Sequence, residues 1–117
     1  MFIVQHNDSN ARRSRFTIAD GIVFCSGNVA NTRPASIGVQ TQQVLDKIDK
    51  ELALAGTNKT KILFVQIFLA DIERDFAGMN AVWDTWTDPE RAPARATVEA
   101  KMANPDLLVE MVVTAAL

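Results

Sequence analysis

Pro93-Ala94-Arg95-Ala96-Thr97-Val98-Glu99, taken with Leu107-Leu108-Val109-Glu110-Met111-Val112-Val113-Thr114-Ala115-Ala116, decides how this chain is put together. Pro93 suits the first position of a strand and holds the residue before it extended. Beyond it the pattern alternates, with Ala94, Ala96, Val98 and Ala100 on one side and Arg95, Thr97 and Glu99 on the other. The later segment is apolar on both faces apart from Glu110, and Asn104-Pro105-Asp106 before it is turn material. The simplest connection is an antiparallel hairpin from Val98 through that turn to Val112. Such a hairpin brings Glu110 near the Arg95 to Glu99 strand.

Two charged side chains in these strands need an account. A guanidinium presents a planar fork of donors, so a partly buried Arg95 implies either a paired protein carboxylate or a captured anionic ligand. An isolated carboxylate is too costly to bury, so Glu110 is paired, hydrogen-bonded, open to a wet cleft, or protonated. An internal salt bridge between them satisfies both demands. So does one pocket lined by both.

Outward from these strands, 117 residues make one domain, 1–117, with a real core. The net charge of −2 argues against a nucleic-acid partner, which would call for a cationic surplus. Arg12-Arg13-Ser14-Arg15 is a single short basic group and reads as solvated loop. Cys25 has no second cysteine to bond and reads as a small buried hydrophobe, and His6, in a polar stretch, as a surface side chain. Met1 to Gln5 is too short for a signal-peptide core, no membrane-spanning stretch follows, and the expected location is cytoplasmic.

The elements follow from period and punctuation. Phe2 to Gln5 reads as an edge strand, and Arg15 to Ile18 and Ile22 to Cys25 as a hairpin around Asp20-Gly21. Residues Ala30 to Ile37 form a loop that leads to a helix cap. Val39, Gln43, Leu45, Ile48, Leu52 and Ala55 space out a first helix that Gly56 stops. Lys61 to Ala70 is a central strand, with Ile62, Phe64 and Phe68 on one face and Leu63, Val65, Ile67 and Leu69 on the other. Phe76, Met79, Trp83 and Trp86 recur at helical spacing as a packing stripe, and Asp88-Pro89 closes that second helix. The sum is an α+β layer, a mixed sheet with two helices on one face. Two helices cannot cover both faces, and another copy of the same chain is the economical cover for the second.

PARATVEA followed by a turn and LLVEMVVTAAL resembles the C-terminal signature of the RidA (YjgF-type) reactive-intermediate deaminases: Pro-x-Arg-x-x-Val-Glu, then a strand with one glutamate. Gly21-Ile22-Val23-Phe24-Cys25-Ser26-Gly27 is similar to the family's second-strand motif. Gln43 to Gly56 is similar to its first helix, and Asp75-Phe76-Ala77-Gly78-Met79-Asn80 to the opening of its second. Within the family, the short chain and the Trp83-x-x-Trp86 pair most resemble the YoaB-like branch.

The resemblance implies a chorismate-mutase-like sheet assembled as a homotrimer with three clefts at subunit interfaces. It implies hydrolysis of reactive 2-imino and enamine acids to 2-oxo acids and ammonia. Arg95 matches the carboxylate-binding arginine, Glu110 the strand glutamate, Asn80 the asparagine at the start of the second helix, and Ser26 the serine before glycine. Thr97 stands where the family has a cysteine. Ser14 lies near the position of a tyrosine found in many members. In the implied mechanism Arg95 grips a small-molecule carboxylate substrate and Glu110 handles a water, with no metal and no cofactor. A small-carboxylate-binding trimer, or a pathway-specific hydrolase or deaminase acting on a larger substrate, is the alternative.

Overall fold

The apolar run from Lys61 to Ala70 lies deep in the sheet of the computed structural model, which describes residues 3–117. In chain order the elements are β1 Gln5–Ser9, β2 Ser14–Ala19, β3 Ile22–Cys25, β4 Asn28–Val29, α1 Ile37–Ala55, β5 Ile62–Leu69, α2 Ile72–Trp86, β6 Ala94–Glu99 and β7 Val109–Ala116. The strands line up as β1-β2-β3-β7-β5-β6, with the short β4 also beside β7. Both helices pack on one face, where Val44, Leu45, Ile48 and Leu52 of α1 and Met79, Trp83 and Trp86 of α2 join Val65, Ile67, Leu69, Val109, Met111 and Val113 in the core.

The hairpin from Val98 to Val112 does not form. β6 runs parallel to β5, from Phe64 opposite Ala94 to Leu69 opposite Glu99, and β7 pairs antiparallel with the other side of β5. The reason is the helix between them. A strand, a helix and a second strand make a parallel crossover, and α2 is the crossover that carries the chain from β5 to β6. Only one side of β5 then remains for β7.

Other expectations shift by local rules. The register of β5 against β7 slips between Ile62 and Phe64, so Ile62 turns into the core while Leu63 and Phe64 are both exposed. In α2 the buried stripe starts at Asp75, whose carboxylate pairs with Arg74 at 2.9 Å, whereas Phe76 is 41% exposed. The N-terminal strand is Gln5–Ser9, with Asn7 opposite Phe16; Ile3 and Val4 lie ahead of it and are exposed, and Met1 and Phe2 lie outside the described residues. An edge strand whose side chains are mostly solvated carries no apolar alternation to reveal it.

Boundaries set by backbone chemistry agree with the sequence. Ser36 caps α1 by accepting from the Val39 N–H, and Gly56 ends it in the left-handed region at φ 89°. Asp71 caps α2 in the same way through the Arg74 N–H. At the other end of the crossover Glu99 accepts from the Ile72 N–H, which ties the end of β6 to the start of α2.

The face of the sheet away from the helices is uncovered. Cross-strand rows place Phe24, Thr114, Phe64 and Ala94 together, then Val112, Gln66 and Ala96, then Glu110, Phe68 and Val98. Phe24 is 49% exposed and Val98 45%. Covering one such side chain contributes about 1.5–3 kcal/mol, so this face favours association with another surface.

Stability measurements separate the true stripe of α2 from the apparent one. Met79→Ala, at a fully buried position, is expected to lose about 2–5 kcal/mol in urea unfolding. Phe76→Ala is expected to stay within about 0.5 kcal/mol of wild type.

Candidate functional site

Arg95 and Glu110 stand on opposite faces of the sheet. Arg95 pairs in register with Val65, a core residue under the helices, while Glu110 pairs with Phe68 three positions along β5, on the uncovered face. An odd separation along a strand means opposite sides. The two therefore neither bridge each other nor line one pocket within a single chain. Both alternatives left open by the sequence fail at this level, and the cause is again the parallel placement of β6.

Each residue instead sits in its own polar cluster. The half-buried Arg95 reaches up from β6 to α2, where its Nη1 donates to Asn80 Oδ1 at 2.8 Å and its Cζ lies 5.1 Å from the Trp83 ring centroid. Among the described residues no carboxylate pairs with it. Asn80 therefore serves Arg95 through its oxygen. Thr97, two residues along the same side of β6, has a buried hydroxyl without a hydrogen-bond partner.

The second cluster gathers at the far end of β3. Ser26 Oγ donates to the Ser14 carbonyl at 2.6 Å, and the Ser14 hydroxyl pairs with that of Ser9 at 2.7 Å. Glu110 lies directly against Gly27: a Cβ on that residue would collide with Glu110 Oε2, so any larger residue there would push the carboxylate out of its present position. No side-chain hydrogen bond or ion pair engages the Glu110 carboxylate among the described residues. A cleft of about 520 Å³ opens here, lined by Ser26, Gly27, Asn28, Arg15, Glu51 and Glu110 among others. A groove of about 640 Å³ beside Glu99 and the segment 100–105 includes neither Arg95 nor Glu110.

Several of these residues carried a signal that sequence pattern could not resolve. Arg15 is not a solvated loop residue: its Nε contacts Asp8 Oδ2 at 2.6 Å, and its Nη1 lies 3.7 Å from Glu51 Oε2. Glu51 itself is 3% exposed on α1, where Asn28 Nδ2 donates to it at 3.4 Å. Burial raises its pKa from the ordinary 4.5, against the opposing pull of Asn28 and Arg15. Asp49 and Lys50, just before it in sequence, are exposed, and residue type alone does not separate a buried acid from such neighbours. Cys25 is buried as expected, and its thiol is pushed up to about 12 by burial and by the adjacent Glu51.

Comparison with known proteins gives a consistent result. The family described as Endoribonuclease L-PSP matches residues 5–117. A "RutC family protein" of Haemophilus ducreyi is 43% identical over 110 residues, 94% of this chain and 93% of the relative. The "RutC family protein YoaB" of Escherichia coli K12 is 40% identical over 109 residues, 93% of this chain and 94% of the relative. Among solved structures, NMB1025 of Neisseria meningitidis, described as a member of the YjgF protein family, superposes with a TM-score of 0.93 at 38% identity, covering 97% of this chain and 94% of that one.

The buried carboxylate has a pH signature. An acid whose folded pKa is raised is bound to more protons in the folded state, so wild-type stability should fall as pH rises from about 4.5 through the raised value. In Glu51→Gln that fall should be reduced, as read from unfolding midpoints across the same pH range. The Cys25 thiol, protonated throughout the neutral range, should resist a thiol reagent at pH 8 in the native protein and react fully once unfolded.

Proposed function

Because the chain belongs to the Endoribonuclease L-PSP family, the YjgF/RidA group of proteins, we propose that it hydrolyses reactive 2-imino and enamine acids to 2-oxo acids and ammonia. In this proposal the working unit is a homotrimer whose clefts each combine the Arg95 cluster of one subunit with the Glu110 cluster of the next. The observation that carries it is a pair of unmet demands. Among the described residues, one face presents a half-buried guanidinium whose partners, Asn80 and Trp83, are neutral, and the other a carboxylate with no cation within 4 Å. A second copy laid on the uncovered apolar face gives both groups a shared ligand without violating the burial rules for charge.

The chemistry proposed for such a cleft is short. Arg95 takes the substrate carboxylate through its remaining N–H groups and orients the imine carbon. Glu110 removes a proton from a water as the oxygen attacks that carbon, forming a carbinolamine. The same carboxyl returns that proton to nitrogen and then relays the carbinolamine's hydroxyl proton to the amino group as the C–N bond breaks and the carbonyl forms, and the 2-oxo acid and ammonia leave. One positioned acid/base group contributes roughly 10²- to 10⁴-fold, enough for a carbon already activated as an imine. Ser26 and the Gly27 backbone border the same carboxylate and suit the water or the substrate's amine end.

Ribonuclease activity, the word in the family's description, finds less support in these residues. The chain has a net charge of −2, no tyrosine and a single histidine, which lies exposed in β1. A phosphodiester substrate calls for a cationic surplus, and acid/base catalysis on it draws most often on histidine; the net charge does not supply the first, nor the lining of the Glu110 cleft the second.

The assay is loss of 2-iminobutanoate generated in situ. Wild type should accelerate it, Arg95→Ala should abolish the acceleration, and Glu110→Gln should lower turnover about 10²-fold or more while binding of the product 2-oxobutanoate persists. Equal rates for wild type and Arg95→Ala would instead favour a carboxylate-binding or other hydrolytic role. The shared-cleft geometry has its own test: unfolding the two inactive variants together and reassembling them 1:1 should restore activity in about a quarter of the clefts, since one subunit supplies an intact Arg95 and its neighbour an intact Glu110. Failure of the mixture to recover, with each protein refolding normally alone, rules that geometry out.

A further inference from the structure

We propose that Trp83 is a positioning residue for the Arg95 guanidinium, held in turn by Trp86 and Asp49, so that α1 fixes the anion-binding group before any ligand arrives. This inference rests on the proposed role of Arg95 as the carboxylate-binding group. β6 is an edge strand, so an arginine on it is flanked by only one neighbouring strand and keeps considerable rotamer freedom. Two contacts remove that freedom. Asn80 Oδ1 accepts from Nη1 at 2.8 Å, and the Trp83 ring lies 5.1 Å from Cζ.

Trp83 is suited to the task because it is itself buried and packed. It is 5% exposed, and its ring centroid stands 5.2 Å from that of Trp86 at an interplanar angle of 56°. Trp86 Nε1 donates to Asp49 Oδ2 on α1 at 3.0 Å. A continuous chain of contacts thus runs from α1 through two indoles to the guanidinium.

The chemistry of the partners matters as much as their rigidity. An aspartate in place of Asn80 or Trp83 would hold Arg95 more strongly but would neutralise it. An amide oxygen and an aromatic face attract the cation and leave its charge available to an incoming anion. An aliphatic side chain at position 83 would fill only part of the same core volume and supply no such attraction. Pre-ordering of this kind raises affinity by lowering the entropy lost on binding.

The experiment follows binding of 2-oxobutanoate to the full-length protein by calorimetry and by tryptophan emission, with thermal unfolding alongside. Wild type should bind with a change in emission, and Arg95→Ala should lose both. Trp83→Leu should weaken binding about tenfold, and Trp83→Phe, which keeps a ring, should recover most of it. Leu45→Ala, a core change on α1, serves as the stability control and should bind like wild type even when its unfolding midpoint drops as far as that of Trp83→Leu. Wild-type affinity in Trp83→Leu, with binding lost in Arg95→Ala, overturns the positioning role and leaves the site standing. Undiminished binding by Arg95→Ala, or none by wild type, overturns the site and this inference with it.

Discussion

The parallel pairing of β6 with β5, from Ala94 to Glu99, governs where every charged group of the site can go. Parallel register sets Arg95 beside Val65, beneath α2, and Thr97 beside Ile67. It also occupies one side of β5, which sends β7 to the other side and leaves Glu110 facing away from the helices. Had β6 and β7 formed a hairpin, the two charges could have met within one chain and neutralised each other. Their separation leaves each with an unmet electrostatic demand.

How the chain treats its other charges gives that separation meaning. Glu51 is far more buried than Glu110, yet Arg15 and Asn28 answer it from β2 and β4. Asp75 is buried too, and Arg74 covers it. Buried carboxylates in this fold receive partners, in keeping with the several kcal/mol that an unpaired buried ion would cost. Among the described residues Arg95 receives an amide and an indole and no carboxylate, and the Glu110 carboxylate rests against Gly27 with no ion-pair partner. Those two exceptions are the groups on which the proposed cleft is built.

Much of this was legible from residue order because the signals were local. Ser36 and Gly56 bracket α1, Asp20-Gly21 joins β2 to β3, and the run from Ile62 to Leu69 is an interior strand of the sheet. Motif spacing pointed to the family, which the matching of residues 5–117 bears out. The motif named candidate residues but not their grouping: Asn80 and Thr97 lie on the same side of the sheet as Arg95, and Ser14 and Ser26 belong to the cluster beside Glu110. Gly27 as the seat of the Glu110 carboxylate, Glu51 as a buried acid and Trp83 as a partner of Arg95 were not identified. Each acts through a contact distant in sequence, where periodicity carries no information.

Taken alone, the order of residues determined the helices, most of the strands and the chemistry available to the site, because caps, turns and apolar periods are properties of a few neighbouring positions. Only the tertiary structure decided which strands are neighbours and which face each charge occupies. Strand pairing is a competition among distant segments for the two free sides of β5, and the crossover through α2 settled it in favour of β6 on one side and β7 on the other.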